Sequence, residues 1–352
     1  MKQFNARIHQ WFSENKRELP WRKTKDPYRI WLSEVILQQT RIDQGMNYYL
    51  TFTETFPTIF DLANASEDEV LKLWQGLGYY SRARNLHATA RTIVEQHQGT
   101  FPGTYDAILK LKGIGEYTAS AIASISFGLP YPTIDGNVFR VLARYFGVEE
   151  AIDSTKGKKT FKELGELLIY KTDPGMHNQA LMEFGALQCI PQKPDCLACP
   201  LKENCFAYLE QRINDLPVKK GKVRQRDRYF NYLVIQDENH VLLRKREGND
   251  IWKNLFEFPM IETSDKISIE DLITEDPVLK LAGIKQPATI VRQTEWRTHL
   301  LSHQKINYRF ILITVQFEKK VPVNLIPVNK KDIFNFAVPK LIETFINNNN
   351  WI

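Results

Sequence analysis

A glycine-containing turn between two helical patterns constrains the fold of this chain more than any other stretch. Apolar side chains recur at helical spacing up to Leu111 and again from Ala119 onward, while Gly113 and Gly115 interrupt the pattern between them. Glycine permits positive φ and close backbone approach, so such a turn can point the unpaired amides of its second helix outward. Outward amides suit a phosphate, although an ordinary corner between two helices is the alternative. The pattern predicts a hairpin of helices that could hold a nucleic-acid backbone through Gly113 and Gly115.

An isolated aspartate, Asp135, follows this hairpin in an Asp-Gly-Asn string. Aspartate is a common helix N-cap, and the apolar residues after it predict a helix that ends near Gly147. The immediate neighbourhood of Asp135 does not indicate catalysis.

All four cysteines of the chain lie close together, spaced as Cys189-x6-Cys196-x2-Cys199-x5-Cys205. In a reducing compartment, grouped cysteines are metal ligands more often than disulfides. Zinc sites usually combine two short cysteine pairs, and here only Cys196 and Cys199 form one. The spacing favours a four-iron cluster, with zinc as the alternative.

The hairpin with its downstream Asp135 resembles the helix-hairpin-helix DNA glycosylases, and the cysteine spacing resembles the iron-sulfur loop of their endonuclease III branch. Two further runs, 31–40 and 76–82, are similar to the adenine DNA glycosylases of the MutY type. The similarity covers nearly the whole chain. It implies a mainly α catalytic region, built as a six-helix barrel with an iron-sulfur helical module that holds one [4Fe-4S] cluster. It also implies excision of adenine opposite 8-oxoguanine or guanine in double-stranded DNA.

The helix predicted from Asp26 to about Tyr49 puts Glu34 beside large apolar neighbours. A buried carboxyl has a raised pKa and can hold a proton near neutral pH, as a general acid must. A glutamate in a helix is usually a solvated surface residue, but the resemblance assigns Glu34 as the acid that protonates adenine and later activates water. It assigns Asp135 as the ionised carboxylate that stabilises the sugar cation. We expect helix amides and Asn137 to favour the charged form of Asp135.

Tyr117 distinguishes this chain from the endonuclease III branch, in which the matching position carries a lysine. The lysine amine forms a Schiff base and then cuts the strand. Tyrosine cannot do this, so Tyr117 predicts a monofunctional glycosylase without lyase activity. We expect the tyrosine to support Asp135 instead.

Three further residues are candidate DNA contacts. The resemblance implies that Gln39 and Tyr79 enter the base stack beside the flipped adenine. Tyr79 lies in a glycine loop that could equally be a helix connection with buried tyrosines. Arg22, after Leu-Pro-Trp, is a candidate for the base pocket.

The 352 residues exceed the usual size of one core, so two domains are expected. We predict a glycosylase region at 1–217 with its iron-sulfur loop at 189–205, then a basic linker at 218–228. Alternating apolar residues beyond it predict strands of an α+β domain at 229–352. The string 251–259 resembles Nudix-type domains, but the acidic magnesium-binding helix of those hydrolases is missing from the sequence. The domain should therefore bind without hydrolysing.

The C-terminal domain of the family recognises 8-oxoguanine through a loop that matches His299 to His303. Ser302 and His303 offer short polar contacts to a base edge. Leu301 stands where the family often has phenylalanine. The pair His299 and His303 could otherwise be a metal site or two surface histidines.

A net charge of +6 suits nucleic acid without proving it. The N-terminus has no apolar signal core and no segment reaches the roughly 20 apolar residues of a membrane span, so we expect a cytoplasmic, nucleoid-associated protein with no membrane partner. Nothing demands more than a monomer. Three rivals remain open: a mismatch glycosylase acting on thymine, a non-catalytic DNA-binding protein with a cluster, and nucleotide hydrolysis by the C-terminal domain.

Overall fold

The computed structural model describes residues 1–221, 225–274, 289–315 and 324–348. Contacts divide the chain into two compact units, one of Met1–Asn64 with Asn85–Gly221 and the other of Ala65–Arg84 with Lys222–Ile352. The segment 65–84 therefore packs in the same unit as the C-terminal strands. The domain bounds of 1–217 and 229–352 stay a prediction.

The first unit is helical. Helix α11 packs against α1, α8 and α9, and α2 packs against α3 and α8. Apolar side chains spaced for one helical face, such as Phe4, Ile8 and Phe12, are buried in this core together with Leu142 and Phe184. The helices are α1 Lys2–Asn15, α2 Pro27–Leu37, α3 Ile42–Thr55, α4 Ile59–Asn64, α6 Ser81–His97 (which begins in the second unit), α7 Tyr105–Leu109, α8 Glu116–Phe127, α9 Gly136–Phe146, α10 Thr155–Leu168, α11 Pro174–Leu187 and α12 Phe206–Leu209, with 3-10 turns at Pro20–Arg22 and Lys202–Asn204.

Helix α2 begins as the sequence predicts and ends much earlier. The Asp26 carboxylate accepts a hydrogen bond from the Tyr28 amide at 3.0 Å, and Pro27 takes the first helical position. The single helix predicted to run to Tyr49 is wrong, because the backbone leaves the helix after Leu37 and Gln39 adopts the left-handed region with φ of 54°. The break lies at one of the residues proposed to contact DNA.

Two helices begin earlier than their sequence patterns predict. The lysine- and threonine-rich composition of residues 154–159 predicts a loop, but α10 begins at Thr155 because the Ser154 hydroxyl accepts a hydrogen bond from the Gly157 amide at 2.9 Å. The residues from Asn85 to His97 predict a helix, and α6 begins four residues before them, at Ser81. A serine N-cap therefore outweighs the lysine-rich composition of the first turn of α10.

The second unit contains a mixed sheet, which confirms the predicted α+β architecture. Its main path is β3-β2-β1-β7-β5, in which β1 and β7 run parallel. Leu233, Ile235, Ile311 and Ile313 form part of a core under this sheet. The elements are α5 Glu67–Leu73, β1 Arg226–Gln236, β2 His240–Lys245, β3 Phe256–Glu257, β4 Met260–Thr263, α13 Ile269–Thr274, β5 Thr289–Gln293, β6 Arg297–Leu300, β7 Gln304–Thr314, β8 Ile326–Asn329 and α14 Lys340–Asn348, with a 3-10 turn at Lys330–Asn335.

The segment 65–84 is held to the C-terminal strands by polar contacts. Ser66 and Glu69 form a capping box at the start of α5. Asp68 pairs with Lys245 at 2.6 Å, and Lys72 donates to the Phe336 carbonyl at 3.3 Å. These bonds explain why the segment packs with strands that lie far from it in sequence.

Part of the predicted basic linker belongs to the sheet. Strand β1 begins at Arg226, and the Arg228 side chain is buried in ion pairs with Asp250 and Glu262 at 2.7 Å each. Arg228 is therefore a structural charge, whereas Lys222 and Arg224 lie outside the described residues.

No helix among the described residues is both long and apolar enough to span a membrane.

Candidate active site

Glu34 is a buried carboxyl on α2, with a relative exposure of 9%. Its pKa is raised to about 7, chiefly by burial and to a smaller extent by the charge of Asp135, against a hydrogen bond with Tyr117 that lowers it. The expectation of a buried Glu34 with a raised pKa is confirmed. Such a group exchanges a proton near neutral pH.

Tyr117 is the second residue of α8, the second helix of the hairpin pair, and its hydroxyl is hydrogen-bonded to Glu34. The same oxygen lies 3.5 Å from Met182 Sδ. Burial raises the pKa of the phenol well above its usual value. Tyr117 was expected to support Asp135, but its hydrogen bond goes to Glu34, since α8 packs directly against α2.

Asp135 is the N-cap of α9. Its Oδ1 accepts from the Val138 amide at 2.7 Å and its Oδ2 accepts from Asn137 Nδ2 at 2.8 Å. Burial nevertheless raises the pKa of Asp135, because desolvation outweighs these hydrogen bonds. The helix amides and Asn137 do favour the charged form of Asp135, as expected, but burial favours the neutral form more strongly.

Arg140 links this site to the cysteine loop, and the sequence analysis missed it. Its guanidinium donates to Asn137 Oδ1 at 2.8 Å, to the Gly185 carbonyl at 2.6 Å and to the Cys189 carbonyl at 2.7 Å. The signal in the sequence is an arginine three residues after Asn137, on a helix whose remaining residues are mostly apolar. Asn137, bonded on both sides, orients the Asp135 carboxylate.

The four cysteines are partly buried and free of disulfides. The thiol pKa of Cys199 is raised to about 12, chiefly by burial and in part by the charges of Cys189, Cys205 and Cys196. The four sulfur atoms are thus close enough to interact. Among the residues that the structure describes, however, no three cysteine, histidine or carboxylate side chains converge on a point that one metal ion could occupy.

Arg144, one turn after Arg140, supports the cysteine loop. Its guanidinium lies 3.5 Å from Cys189 Sγ and donates to the carbonyls of Ile190 at 2.8 Å and Pro191 at 2.9 Å. A buried guanidinium at this position favours thiolates over thiols.

In the hairpin, only one of the two glycines needs the left-handed region. Gly113 has φ of +76°, and a Cβ there would meet Asn85 Cβ at 2.6 Å. Gly115 is the extended N-cap of α8, with open space where a Cβ would be. The surface before α8 is therefore free for close approach by another molecule.

Arg22 is engaged in the fold. Its Nη1 and Nη2 donate to the two carboxylate oxygens of Glu183 at 2.9 and 2.8 Å, and Nη1 also donates to the Arg17 carbonyl at 2.9 Å. These bonds favour a structural role for Arg22 over the base pocket.

A cavity of about 480 Å³ lies within the second unit. Tyr79, with φ of 44° and 47% exposure, forms a hydrogen bond between its hydroxyl and that of Ser302. The structure thus brings together four of the predicted DNA contacts. His299 lies on β6 behind this surface, and burial lowers its pKa. The predicted contacts that line the cavity are Tyr79, Leu301, Ser302 and His303.

Comparison with known proteins identifies the class that this fold and site define. Residues 32–167 match the HhH-GPD superfamily of base excision DNA repair proteins, and residues 231–348 match the NUDIX domain. The adenine DNA glycosylase of Buchnera aphidicola subsp. Acyrthosiphon pisum (strain APS) is 37% identical over 76% of this chain and 76% of that protein. The adenine DNA glycosylase of Homo sapiens is 32% identical over 92% of this chain and 69% of that protein. The chain belongs to the adenine DNA glycosylase family.

A solved structure of a thermostable thymine-DNA glycosylase is also similar, with a TM-score of 0.56 and 31% identity. The similar region covers 96% of that chain but only 59% of this one. The adenine DNA glycosylase of Homo sapiens covers 92% of this chain and therefore most of the C-terminal region as well.

Proposed function

We propose that this protein is a monofunctional adenine DNA glycosylase of base-excision repair, which removes adenine opposite 8-oxoguanine or guanine in duplex DNA. The observation that carries the proposal is the pairing of a buried carboxyl, Glu34, whose pKa is about 7, with a half-buried one, Asp135, whose charge shifts that pKa. Cleavage of an N-glycosidic bond needs a protonated leaving group and a stabilised oxocarbenium-like sugar. Two carboxyls in different environments can divide those tasks.

In this mechanism Glu34 donates its proton to the departing adenine and then takes a proton from the attacking water. Tyr117 holds the Glu34 carboxyl in place through its hydroxyl. Asn137 and Val138 orient the Asp135 carboxyl. In its ionised form, this carboxylate stabilises the positive charge that develops on the sugar. Protonation of the base is the step that uses the raised pKa.

The absence of lyase activity follows from the residue at position 117. A lyase needs an amine that forms a Schiff base with the opened sugar. Tyr117 provides no amine, and the pKa of its phenol is raised well above the usual value, so it stays un-ionised at neutral pH. Excision should therefore leave an abasic site with an intact strand.

DNA would be held by the hairpin and by two wedge residues. The open surface before α8 allows backbone amides to meet a phosphate. Gln39 and Tyr79 both adopt left-handed backbone conformations, which non-glycine residues seldom hold unless the surrounding structure enforces them. Such residues could enter the stack when adenine is flipped out. Ser302 and His303 would contact the base opposite the adenine.

The four cysteines fit a [4Fe-4S] cluster better than zinc. Their sequence spacing contains only one short pair, Cys196 and Cys199, whereas zinc sites usually combine two such pairs. Cys189, Cys196, Cys199 and Cys205 would ligate the irons, and Arg144 would offset their negative charge. The cluster would supply structural order to the loop.

The rate of excision opposite different bases tests this proposal. We expect single-turnover release of adenine to be fastest opposite 8-oxoguanine, slower opposite guanine, and slowest opposite cytosine or thymine. A duplex with thymine opposite guanine should not be cut. Release of thymine from that duplex, with no release of adenine from the others, would favour thymine excision, the activity named for the similar solved structure.

The enzyme should act as a monomer on cytoplasmic DNA.

We expect the excision rate to fall as pH rises through about 7. Glu34 must be protonated to act as the acid, and above its pKa of about 7 the protonated fraction falls by about tenfold per pH unit. Asp135 must be ionised, so its raised pKa adds a decline on the acid side. Single-turnover rates across the pH range measure this. A rate that stays flat through the alkaline range would contradict the role of Glu34.

Replacing Cys199 by serine is expected to remove the cluster and to destabilise the first unit. Cys189, Cys199 and Cys205 pack against the core formed by α1, α9 and α11, so disorder in the loop exposes that core. Iron content, visible absorbance and the melting temperature measure the effect against the unchanged protein. One zinc ion per chain in place of iron would contradict the cluster.

A further inference from the structure

The turn between β2 and β3 holds a tryptophan in an unfavourable backbone conformation. Trp252 has φ of 58°, and Asn254, two residues later, has φ of 65°. A bulky residue in the left-handed region costs conformational energy and persists only where the surroundings hold it there. The contacts that hold this turn are therefore informative.

Two buried arginines clamp the turn from the sheet. Arg228 donates to Asp250 Oδ1 at 2.9 Å, and Arg246 donates to Asp250 Oδ2 at 2.6 Å. Arg246 Nε also donates to the Ile251 carbonyl at 2.8 Å, and its own carbonyl accepts from the Asn254 amide at 2.7 Å. Both guanidinium groups lie over the Phe230 ring, at 4.8 and 5.6 Å from its centroid.

The segment 65–84 clamps the turn from its other end. Arg84 donates to the Lys253 carbonyl at 2.8 Å, and the Asn254 side chain donates to the Glu67 carboxylate. The residues on both sides of Trp252 are thus fixed by side chains from strands and from a distant segment. The network fixes the backbone of the turn that carries the indole.

The indole lines the cavity of the second unit beside the loop of Ser302. Its ring centroid lies 6.1 Å from that of His299 and 6.2 Å from that of Phe230, and 9% of the residue is exposed. Leu301, in the same lining, is aliphatic. The cavity volume of about 480 Å³ lies in the range of small-molecule sites, about 300–1,000 Å³. An indole face beside the hydroxyls of Tyr79 and Ser302 suits a flat heteroaromatic ring with polar edges.

We propose that Trp252 is a specificity-determining residue, whose indole forms the apolar wall that holds the purine opposite the excised adenine against the polar groups of Ser302 and His303. This inference rests on the proposed function. The clamped turn fixes the wall before DNA arrives, so the bound purine lies at a set distance from the Ser302 hydroxyl. Asp250, Arg228 and Arg246 are positioning residues for the wall.

Trp252→Leu tests the wall, with Trp296→Leu as the matched control. Trp296 belongs to the same unit and packs against Tyr229 and Arg309, and it does not line the cavity. Affinity is measured for duplexes with 8-oxoguanine or guanine opposite a non-hydrolysable adenine analogue. We expect Trp252→Leu to weaken binding to the 8-oxoguanine duplex by roughly tenfold or more, and to narrow the preference over guanine. Trp296→Leu should keep that preference.

The double variant with Ser302→Ala sharpens the test. If the wall acts by holding the base against Ser302, the two substitutions together narrow the preference no further than the stronger one alone. Equal preference in Trp252→Leu and the unchanged protein would overturn the proposal. The proposal would also be overturned if the two substitutions narrowed the preference for 8-oxoguanine over guanine additively. Should Trp252→Leu fail to fold, Trp252→Phe keeps an aromatic face and is expected to retain most of the preference, whereas Trp252→Met is expected to lose it.

The two proposals fail in different ways. If the unchanged protein releases adenine from no duplex, the proposed function is wrong. If it releases adenine normally and Trp252→Met behaves like the unchanged protein, only the role of Trp252 is wrong.

Discussion

Replacing Glu34 by glutamine is expected to lower single-turnover release of adenine by about 10²–10⁴-fold, while binding to the duplex is kept. Glutamine has the shape of the protonated carboxyl and can keep a hydrogen bond with Tyr117, but it cannot donate a proton to the departing base. The loss should therefore appear in the rate of the chemical step. Single-turnover kinetics and a binding isotherm on the same duplex separate the two effects.

The control for this variant is Glu95→Gln, on the exposed face of α6. It removes a carboxylate of the same size from the same helical unit and should leave the rate unchanged. If Glu34→Gln excises adenine at the normal rate, a non-catalytic role for the site becomes the better account.

Thermal stability gives Glu34→Gln a second readout with a definite sign. The pKa of Glu34 is raised to about 7, so the stability that its protonated form contributes is present at low pH and lost as pH rises through 7. Relative to the ordinary glutamate pKa of 4.5, this rise corresponds to up to about 3 kcal/mol of stability. In alkaline buffer the variant should melt at a higher temperature than the unchanged protein. In acidic buffer the difference in melting temperature should disappear.

Replacing Asp135 by asparagine is expected to lower the excision rate by about 10²–10³-fold with little effect on the fold. Asparagine caps helices as well as aspartate does, so its side-chain oxygen can keep the bond from the Val138 amide. It carries no negative charge, and the sugar cation loses its stabilising partner. Single-turnover rates and melting curves together show whether the loss is chemical.

Asp173→Asn is the matched control, because Asp173 caps α11 by accepting from the Met176 amide at 3.0 Å. The same change is made at the same helical position without touching Glu34 or Tyr117. Equal losses of activity in Asp135→Asn and Asp173→Asn would mean that capping, and not charge, explains the effect.

The sequence could predict features that depend on near neighbours. The burial of Glu34 follows from the apolar residues one helical turn away, the capping of α9 follows from Asp135, and the mixed sheet follows from alternating residues in β1 and β7. Local patterns of this kind survive folding because the residues involved share one element.

Features that depend on distant residues could not be predicted. The pKa of Asp135 is set by how deeply other helices bury it, and no local pattern reports that depth. The hydrogen bond of Tyr117 goes to Glu34 because α8 packs against α2. Arg140 joins Asn137 to the cysteine loop across 49 residues. Helix propensity and capping signals also did not reveal that the helix ends after Leu37, where Gln39 adopts the left-handed backbone region.

The most direct test of the account measures free adenine and strand breaks from one labelled duplex with adenine opposite 8-oxoguanine, with and without hot alkali. The account predicts release of adenine in an amount equal to the breaks that appear only after alkali. Breaks without alkali would reveal a lyase nucleophile and contradict the role given to position 117. Release of no adenine would contradict the central claim that Glu34 and Asp135 form an adenine-excising site.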